Sequence, residues 1–214
     1  MSLSSDFEIL VATRNRGKIL EIQKALRGSP IKLRYLDEFP NVPAVEEVGR
    51  TYEENAVLKA FGYSTATGVA ALADDSGLEV DALGGLPGVL SARYGGTQSS
   101  DSERIHKLLA AISQCSDENR TARFICSMAL VGWEMNSRDM QVRNLHLLKL
   151  TEGRCEGVIT KAARGTNGFG FDPVFVPAGH NATFAELPNE VKATISHRAQ
   201  ALAAMRAFFD RGMM

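Results

Sequence analysis

The sequence lacks several features that would define its class at once. Its three cysteines, Cys115, Cys126 and Cys155, are far apart, odd in number and in no Cys-x-x-Cys pair. A zinc site and a disulfide framework are therefore not expected, and a reducing cytoplasm fits best. No apolar run approaches the ~20 residues that cross a bilayer. The short polar start, residues 1–6, has none of the marks of a signal peptide.

A strong charge of either sign is also absent. The 214 residues carry a net charge of −1, with 44% hydrophobic and 23% charged residues. No overall basic field draws such a chain to nucleic acid or to a membrane, so neither is an expected partner. A polyanionic ligand would have to be bound by local cationic groups. The length suits one large domain or two small lobes with a sizeable core.

Strands and helices alternate early in the chain, and strands follow one another later. Strands are predicted over residues 7–12, 31–36, 69–73, 120–133, 140–150 and 153–162. Helices are predicted over residues 19–28, 51–67, 100–113 and 196–211. The segments 74–96 and 164–173, rich in glycine, are predicted loops. This order predicts an α/β fold in which helices flank a mixed sheet.

The turn after the first strand is the first candidate site. It consists of Thr13, Arg14, Asn15, Arg16, Gly17 and Lys18. The free amides and the dipole of a helix start favour an anion such as phosphate. Gly17 lets a phosphate approach the backbone, and Lys18 adds a positive charge, although the spacing is not that of a Walker P-loop. The equally weighted alternative is that Thr13 or Asn15 caps the helix and that the cations are solvated.

Two neighbouring aspartates, Asp74 and Asp75, follow an apolar strand. Neighbouring side chains on a strand point to opposite faces, so only one carboxylate would enter a given cleft. Mg²⁺ takes one or two carboxylates together with phosphate oxygens. Glu46 and Glu47 are candidates for the second carboxylate, whereas Glu54 is expected to serve its own helix cap. A surface Asx turn is the alternative.

Glycine and phenylalanine alternate over residues 167–171, just before Asp172. Because the glycines leave the rings of Phe169 and Phe171 uncovered, an aromatic face could stack on a base, which is worth ~1–3 kcal/mol. Asp172 could accept a base N–H. Taken alone, the pattern favours the alternative that both rings belong to the core.

The last helix begins with cations. Ser196 is a good N-cap, and His197 and Arg198 follow it. Cations in a first helical turn oppose the dipole, so their presence indicates a site. Arg198 and Lys192 are donors only, which suits a purine with a carbonyl at C6 and opposes the amino group of adenine. The alternative is a charged, exposed helix start.

Five segments in this order resemble the Ham1 family of inosine/xanthosine triphosphate pyrophosphatases. They are VATRNRGK, EExxxTYEENAxxKA, LADDSGLEVDALGGLPGVLSARYGG, GFGFDP and ISHRAQAL. The resemblance extends from Ile9 to Phe208, and the segments are specific as a set rather than singly. It implies an elongated mixed sheet with flanking helices, arranged as two lobes around a central cleft. It also implies one domain over residues 1–214 and a homodimer.

The resemblance also implies roles for individual residues. Residues 13–18 would hold the phosphates with Lys18 as a catalytic cation, and Ser76 would contact the phosphates. Asp75 would bind Mg²⁺ and act as the base for water. One of Glu46 and Glu47 would complete the metal site, and the sequence does not decide which. The base would be held by Phe169, Gly170, Phe171, Asp172, Lys192, His197 and Arg198. Lys59, on the same helix face as Asn55, is a further candidate for a phosphate contact.

The chain departs from the family pattern at three positions. The family often has glycine in place of Arg14 and of Asn167, and tyrosine or tryptophan in place of Phe171. Arg14 adds charge near the phosphates, and Phe171 lacks a polar group. None of the three changes touches the implied metal or acid–base groups.

The implied activity is hydrolysis of ITP, dITP and XTP to the monophosphate and pyrophosphate, which removes deaminated purines from the nucleotide pool. One alternative is a Maf-like pyrophosphatase acting on modified pyrimidine nucleotides, and the Ser-His-Arg triplet and GFGFDP argue against it. Another is a nucleotide-binding module without hydrolysis, and the acidic residues at every expected metal position argue against that.

Overall fold

The computed structural model describes residues 7–135 and 143–212. The strands are β1 (Glu8–Val11), β2 (Lys32–Tyr35), β3 (Ala70–Val80), β4 (Thr121–Met135), β5 (Arg143–Ile159) and β6 (Phe175–Pro177). The helices are α1 (Arg16–Ala25), α2 (Tyr52–Thr67), α3 (Asp101–Ala111), α4 (Asn189–Ile195) and α5 (His197–Asp210). No helix in the described ranges is long and apolar enough to cross a membrane.

The six strands form one mixed sheet in the order β2-β1-β3-β4-β5-β6. β1 pairs in parallel with β2 and with β3, so that Ile9 lies opposite both Leu33 and Ala70. β5 and β6 pair in the antiparallel sense. Parallel neighbours need crossover connections, and α1 and α2 supply them. The prediction of a mixed α/β sheet with flanking helices is confirmed.

The chain divides into two compact units. Unit 1 consists of Met1–Asp75, Ser127–Glu152 and Ala201–Met214, and unit 2 consists of Ser76–Cys126 and Gly153–Gln200. The core of unit 1 includes small and apolar residues of β1, α2, β3 and β4. The core of unit 2 is richer in large side chains from β3, α3, β4 and the segments after β5. That residues 1–214 form a single domain stays a prediction.

Two sequence predictions about the strands are wrong. β3 does not end at residue 73 but runs on through the aspartates to Val80. It can do so because Asp74 and Asp75 have partners and Leu78 and Val80 are fully buried in the core of unit 2. The two strands predicted over 140–150 and 153–162 are one strand, β5, and residues 140–142 lie outside the described part. The sequence did not predict β6 or α4.

Local sequence explains where α2 begins and ends. Thr51 accepts a hydrogen bond from the amide of Glu54, so the predicted N-cap is confirmed. Glu54 accepts from the amide of Arg50, one residue before the cap, rather than from the amide of Thr51 that a capping box would use. Gly68 closes the helix with a left-handed φ of 69°. Between these ends, one face of α2 packs small residues such as Ala56 and Ala60 into the core of unit 1. This packing fixes the polar side chains that lie beside them.

Candidate functional site

The predicted phosphate turn is the N-terminus of α1. Asn15 is the N-cap, because its Oδ1 accepts a hydrogen bond of 3.1 Å from the amide of Lys18. Thr13 Oγ1 accepts one of 3.2 Å from the amide of Asn15. The capping alternative is therefore correct for Asn15. The amides of Arg16 and Gly17 take no part in this cap. They lie in the first turn of α1, where an amide has no acceptor within the helix, so they can bind an anion.

The basic residues of this turn have different surroundings. Arg14 donates a hydrogen bond of 3.1 Å to the carbonyl of Val42, and Arg16 is exposed. Lys18 lies 3.0 Å from Asp74, whose side chain is almost completely buried. Lys18 is thus not a solvated cation but is held against β3 beside the helix start, where a phosphate would lie.

Asp75 contacts two residues of α2. Its Oδ2 accepts a hydrogen bond of 2.9 Å from Asn55 Nδ2, and its Oδ1 lies 3.9 Å from Lys59 Nζ. Lys59 Nζ also lies 2.6 Å from Glu47 Oε1. Asp74 contacts α1 instead, as expected for neighbouring side chains on a strand. One buried lysine therefore joins the strand carboxylate to a carboxylate of the segment before α2.

Asn55 also fixes that segment. Its Oδ1 accepts a hydrogen bond of 2.7 Å from the amide of Gly49, two residues after Glu47. A Cβ on Gly49 would lie 2.7 Å from Asn55 Oδ1, so the glycine allows the close approach. Asn55 was not among the site residues expected from the sequence, and Lys59 was expected only as a further candidate for a phosphate contact. Their signal was a polar pair one turn apart on a buried helix face that also holds two alanines and two tyrosines.

The pKa values of Asp75 and Lys59 are both shifted by their surroundings. Burial raises the pKa of Asp75 above its ordinary value, and nearby Glu47 raises it further, although Lys59 opposes both effects. Burial lowers the pKa of Lys59, but the carboxylates of Asp74, Asp75 and Glu47 outweigh it, so the pKa is raised overall. A raised pKa for both groups is physically consistent. The charged form of Lys59 is stabilised by three carboxylates, whereas each carboxylate shares that one ammonium group with the other two. The surplus negative charge suits a further cation.

The acidic side chains suit a metal ion that takes only part of its ligands from the protein. No three of the acidic, histidine or cysteine side chains in the described ranges are grouped as a metal cage. Glu47 and Asp75 share Lys59, whereas Glu46 is exposed. Mg²⁺ usually takes one or two carboxylates and completes its shell with water and phosphate oxygens. Two carboxylates converging on one ammonium group fit that donor set.

The glycine-flanked aromatics of unit 2 differ in burial. Phe171 lies in the hydrophobic core, as the alternative interpretation expected, and Phe169 is only half-buried. Lys192 Nζ lies 4.8 Å and Arg198 Cζ lies 5.7 Å from the centre of the Phe169 ring. The less buried ring is thus the one that the cations approach.

Asp172 has protein partners. Its Oδ2 accepts hydrogen bonds from the amide of Phe169 at 2.9 Å and from Lys192 Nζ at 2.5 Å. Gly168, with φ +78°, makes room for this arrangement, since a Cβ there would lie 2.0 Å from the same oxygen. Asp172 therefore holds the loop and the lysine in place, and its contact with a base N–H stays a prediction.

The last helix begins as predicted. Ser196 Oγ accepts a hydrogen bond of 3.2 Å from the amide of Ala199, and α5 starts at His197. Arg198 is only 2% exposed and donates a hydrogen bond of 2.8 Å to Ser76 Oγ. The alternative of an exposed helix start is therefore excluded. Lys192 belongs to the preceding helix, α4.

His197 is packed against an aromatic ring. Its imidazole stacks on Phe124 with the ring centres 4.7 Å apart and an angle of 10° between the planes. Phe124 in turn contacts Phe175 and Phe184. The structure thus places His197 on the aromatic core of unit 2, beside the buried Arg198.

Comparisons with known proteins agree with these features. The profile of the Ham1 family matches residues 9–208. The chain is 46% identical over 198 residues to a dITP/XTP pyrophosphatase of Geobacter sulfurreducens, covering 92% of this chain and 94% of the relative. It is 43% identical over 206 residues to a dITP/XTP pyrophosphatase of Bacillus licheniformis, covering 95% and 98%.

Solved structures show the same likeness. A HAM1 protein from Coxiella burnetii superposes with a TM-score of 0.81 at 41% identity, covering 96% of this chain and 99% of that one. The Staphylococcus aureus Ham1 protein gives a TM-score of 0.81 at 36% identity with the same coverage. A family match over nearly the whole chain, with relatives above 40% identity, settles the membership. The chain belongs to the Ham1 family.

Proposed function

We propose that this protein is a nucleoside triphosphate pyrophosphatase that hydrolyses ITP, dITP and XTP to the monophosphate and pyrophosphate. The relatives named as dITP/XTP pyrophosphatases support the substrate class. The structural observation that carries the proposal is the buried group in unit 1, where Lys59 lies between Asp75 and Glu47. This group and the start of α1 suit the triphosphate, and the cations around Phe169 in unit 2 suit the base.

The proposed metal ligands are Asp75 and Glu47, with Mg²⁺ as the cation. Of the two glutamates, Glu47 is favoured because Lys59 ties it to Asp75, whereas Glu46 is exposed. When bound, Mg²⁺ would neutralise phosphate charge and orient the attacking water. Asn55 holds Asp75 and the segment of Glu47 in a fixed relative position, because it donates to Asp75 and accepts from the amide of Gly49.

The proposed reaction is in-line attack of water on the α-phosphorus. The water oxygen forms the new bond, its proton passes to Asp75, and the bond from the α-phosphorus to the bridging oxygen breaks. Lys18 and the first-turn amides of α1 stabilise the charge that develops on the leaving pyrophosphate. The hydrogen bond from Asn55 orients the carboxylate of Asp75 for this proton transfer. Ser76, the next residue, stays a candidate for a phosphate contact.

The proposed base selection rests on donors. Lys192 and Arg198 are buried beside Phe169 and have no acceptor atoms. A purine with a carbonyl at C6 accepts from them, while the amino group of adenine leaves a donor unmatched at ~1–3 kcal/mol. Adenine is thus rejected roughly tenfold to a hundredfold by one such contact. Phe169 supplies a ring for stacking.

The deciding experiment measures pyrophosphate release with Mg²⁺ from ITP, dITP, XTP, ATP, GTP, dUTP and TTP. Turnover of the first three well above that of ATP and GTP is expected. Preference for dUTP or TTP would favour the pyrimidine alternative. Tight ITP binding without pyrophosphate would favour a binding module. The homodimer and the cytoplasmic location stay predictions of the sequence.

A further inference from the structure

A carboxylate at the start of α3 holds the loop that carries Phe169. Asp101 Oδ2 accepts a hydrogen bond of 2.6 Å from the amide of Gly170, which is 69 residues away in the chain. Within the loop, the amide of Asp172 donates a 3.2 Å bond to the carbonyl of Phe169, and the loop's first part is tied to a later segment by the 3.1 Å bond from the amide of Asn167 to the carbonyl of Ala185. Asp101 therefore ties the loop to an outside element within unit 2.

Asp101 is itself held firmly. Its Oδ1 pairs with Arg104, one turn further along α3. Arg104 Nη1 also donates to the carbonyls of Ala92 at 2.8 Å and Ser99 at 2.7 Å. Both oxygens of Asp101 are thus in use, and its cationic partner is anchored at two further points. This makes Asp101 a fixed acceptor for the loop amide.

The loop needs such an acceptor. Gly168 and Gly170 both have left-handed φ values, +78° and +61°, and glycine has little conformational preference of its own. A ring that lies between two glycines takes its direction from the contacts around it. A hydrogen bond from an amide to a carboxylate is stronger than one to a neutral oxygen and fixes the amide plane next to the ring.

We propose that Asp101 is a positioning residue for base recognition, which holds the amide of Gly170 and thereby fixes the ring of Phe169 for stacking. The inference rests on the proposed function, since it takes Phe169 as the stacking ring. In this role Asp101 acts within unit 2, on the loop that carries Phe169. Its loss therefore weakens recognition of the base and leaves the phosphate chemistry intact.

The test compares Asp101→Ala with Glu103→Ala. Glu103 forms the capping box of the same helix with Ser100, so its removal weakens α3 without touching Gly170. We expect Asp101→Ala to raise KM for ITP roughly three- to tenfold, as for partial loss of base stacking, with kcat within about twofold. Sodium tripolyphosphate, which has no base, should inhibit both variants and the wild type equally. Asp101→Asn keeps an oxygen acceptor and should recover most of the KM.

Three results would overturn the inference. They are an unchanged KM in Asp101→Ala, an equal rise in KM in Glu103→Ala, and an equal weakening of inhibition by tripolyphosphate. The first would remove the role, the second would reduce it to helix stability, and the third would place the effect at the phosphates. A wild type that neither binds nor hydrolyses ITP would instead end the proposed function and this inference together.

Discussion

The side-chain amide of Asn55 donates a hydrogen bond of 2.9 Å to Oδ2 of Asp75, and the Asn55 side chain is fully buried. The oxygen of the same amide accepts from Gly49 at 2.7 Å. One side chain thus connects the strand that carries the proposed base with the segment that carries the proposed second metal ligand.

Replacing Asn55 with leucine should lower both stability and activity. The change leaves an oxygen of Asp75 and the amide of Gly49 without their partner, at a cost of about 2–4 kcal/mol in the free energy of unfolding. Turnover of ITP should fall by at least about tenfold, because Asp75 is no longer oriented. Urea unfolding and pyrophosphate release measure the two effects. Asn119→Leu, at an exposed position, is the matched control and should change neither.

Asp75→Asn should separate activity from stability. We expect turnover to fall by at least about 100-fold, as for loss of a general base. Full turnover in this variant would remove Asp75 from that role.

The same variant should be more stable than the wild type at alkaline pH when no metal or nucleotide is present. Burial, aided by Glu47, raises the pKa of Asp75 in the folded protein above the ordinary 3.8. The wild type therefore has its full stability from this group below that value and loses it as pH rises through the raised pKa. The melting-temperature advantage of the variant should be small near pH 4 and grow towards pH 8. Asp37→Asn, at an exposed position, is the matched control.

The two glutamates should differ in their need for Mg²⁺. Glu47→Gln should raise the Mg²⁺ concentration for half-maximal turnover of ITP by about tenfold, because a proposed metal ligand loses its charge. Glu46→Gln, the matched control one residue away, should behave as the wild type. Titration of Mg²⁺ at saturating ITP gives both values. The reverse result would assign the ligand to Glu46.

The pair Lys192 and Asp172 should behave as a unit in stability but not in selectivity. Lys192→Met leaves Asp172 buried without its cation and should cost roughly 3–5 kcal/mol. The double variant Lys192→Met with Asp172→Asn should recover most of that loss, because the asparagine oxygen can still accept from Phe169. The preference for ITP over ATP should fall about tenfold in both variants, because the donor is gone. Recovery of selectivity in the double variant would contradict the role of Lys192.

Two glycines on either side of Phe169 allow a steric clash to be compared with backbone strain alone. Gly168→Ala places a Cβ 2.0 Å from Asp172, whereas Gly170→Ala meets nothing within 4 Å, and both have left-handed φ. Gly170→Ala should cost roughly 1 kcal/mol of stability. Gly168→Ala should cost at least about 2 kcal/mol and raise KM for ITP. Equal effects of the two variants would show that the Asp172 contact is unimportant.

The sequence predicted those features that depend on local pattern. The cap at Thr51, the N-cap of α5 at Ser196 and the alternation of the first strands and helices are all confirmed. The continuation of β3 through Asp74 and Asp75 was missed, since two adjacent carboxylates usually end a strand unless distant cations neutralise them.

The missed contacts at the candidate site have the same origin. The tasks of Asn55 and Asp101 depend on partners 20 and 69 residues away, which a motif does not reveal. The contact of Asp172 with Lys192 could not be predicted either. The local sequence around a carboxylate after a glycine-rich loop is the same whether or not a distant lysine binds it. The proposal of Glu47 rather than Glu46 as a metal ligand also depends on a spatial contact, that with Lys59. Two adjacent glutamates in a loop cannot be distinguished by their sequence alone.

Since β3 passes through Asp74, Asp75 and Ser76 without a bend into a loop, the pleat of a strand governs this stretch. Inserting or deleting one residue would turn every following side chain to the opposite face. A change before Asp75 would turn its carboxylate away from α2, and a change just after Asp75 would turn the hydroxyl of Ser76 away from Arg198. Length variation among natural relatives should therefore be confined to the turns that follow Val80, and be absent from the strand itself.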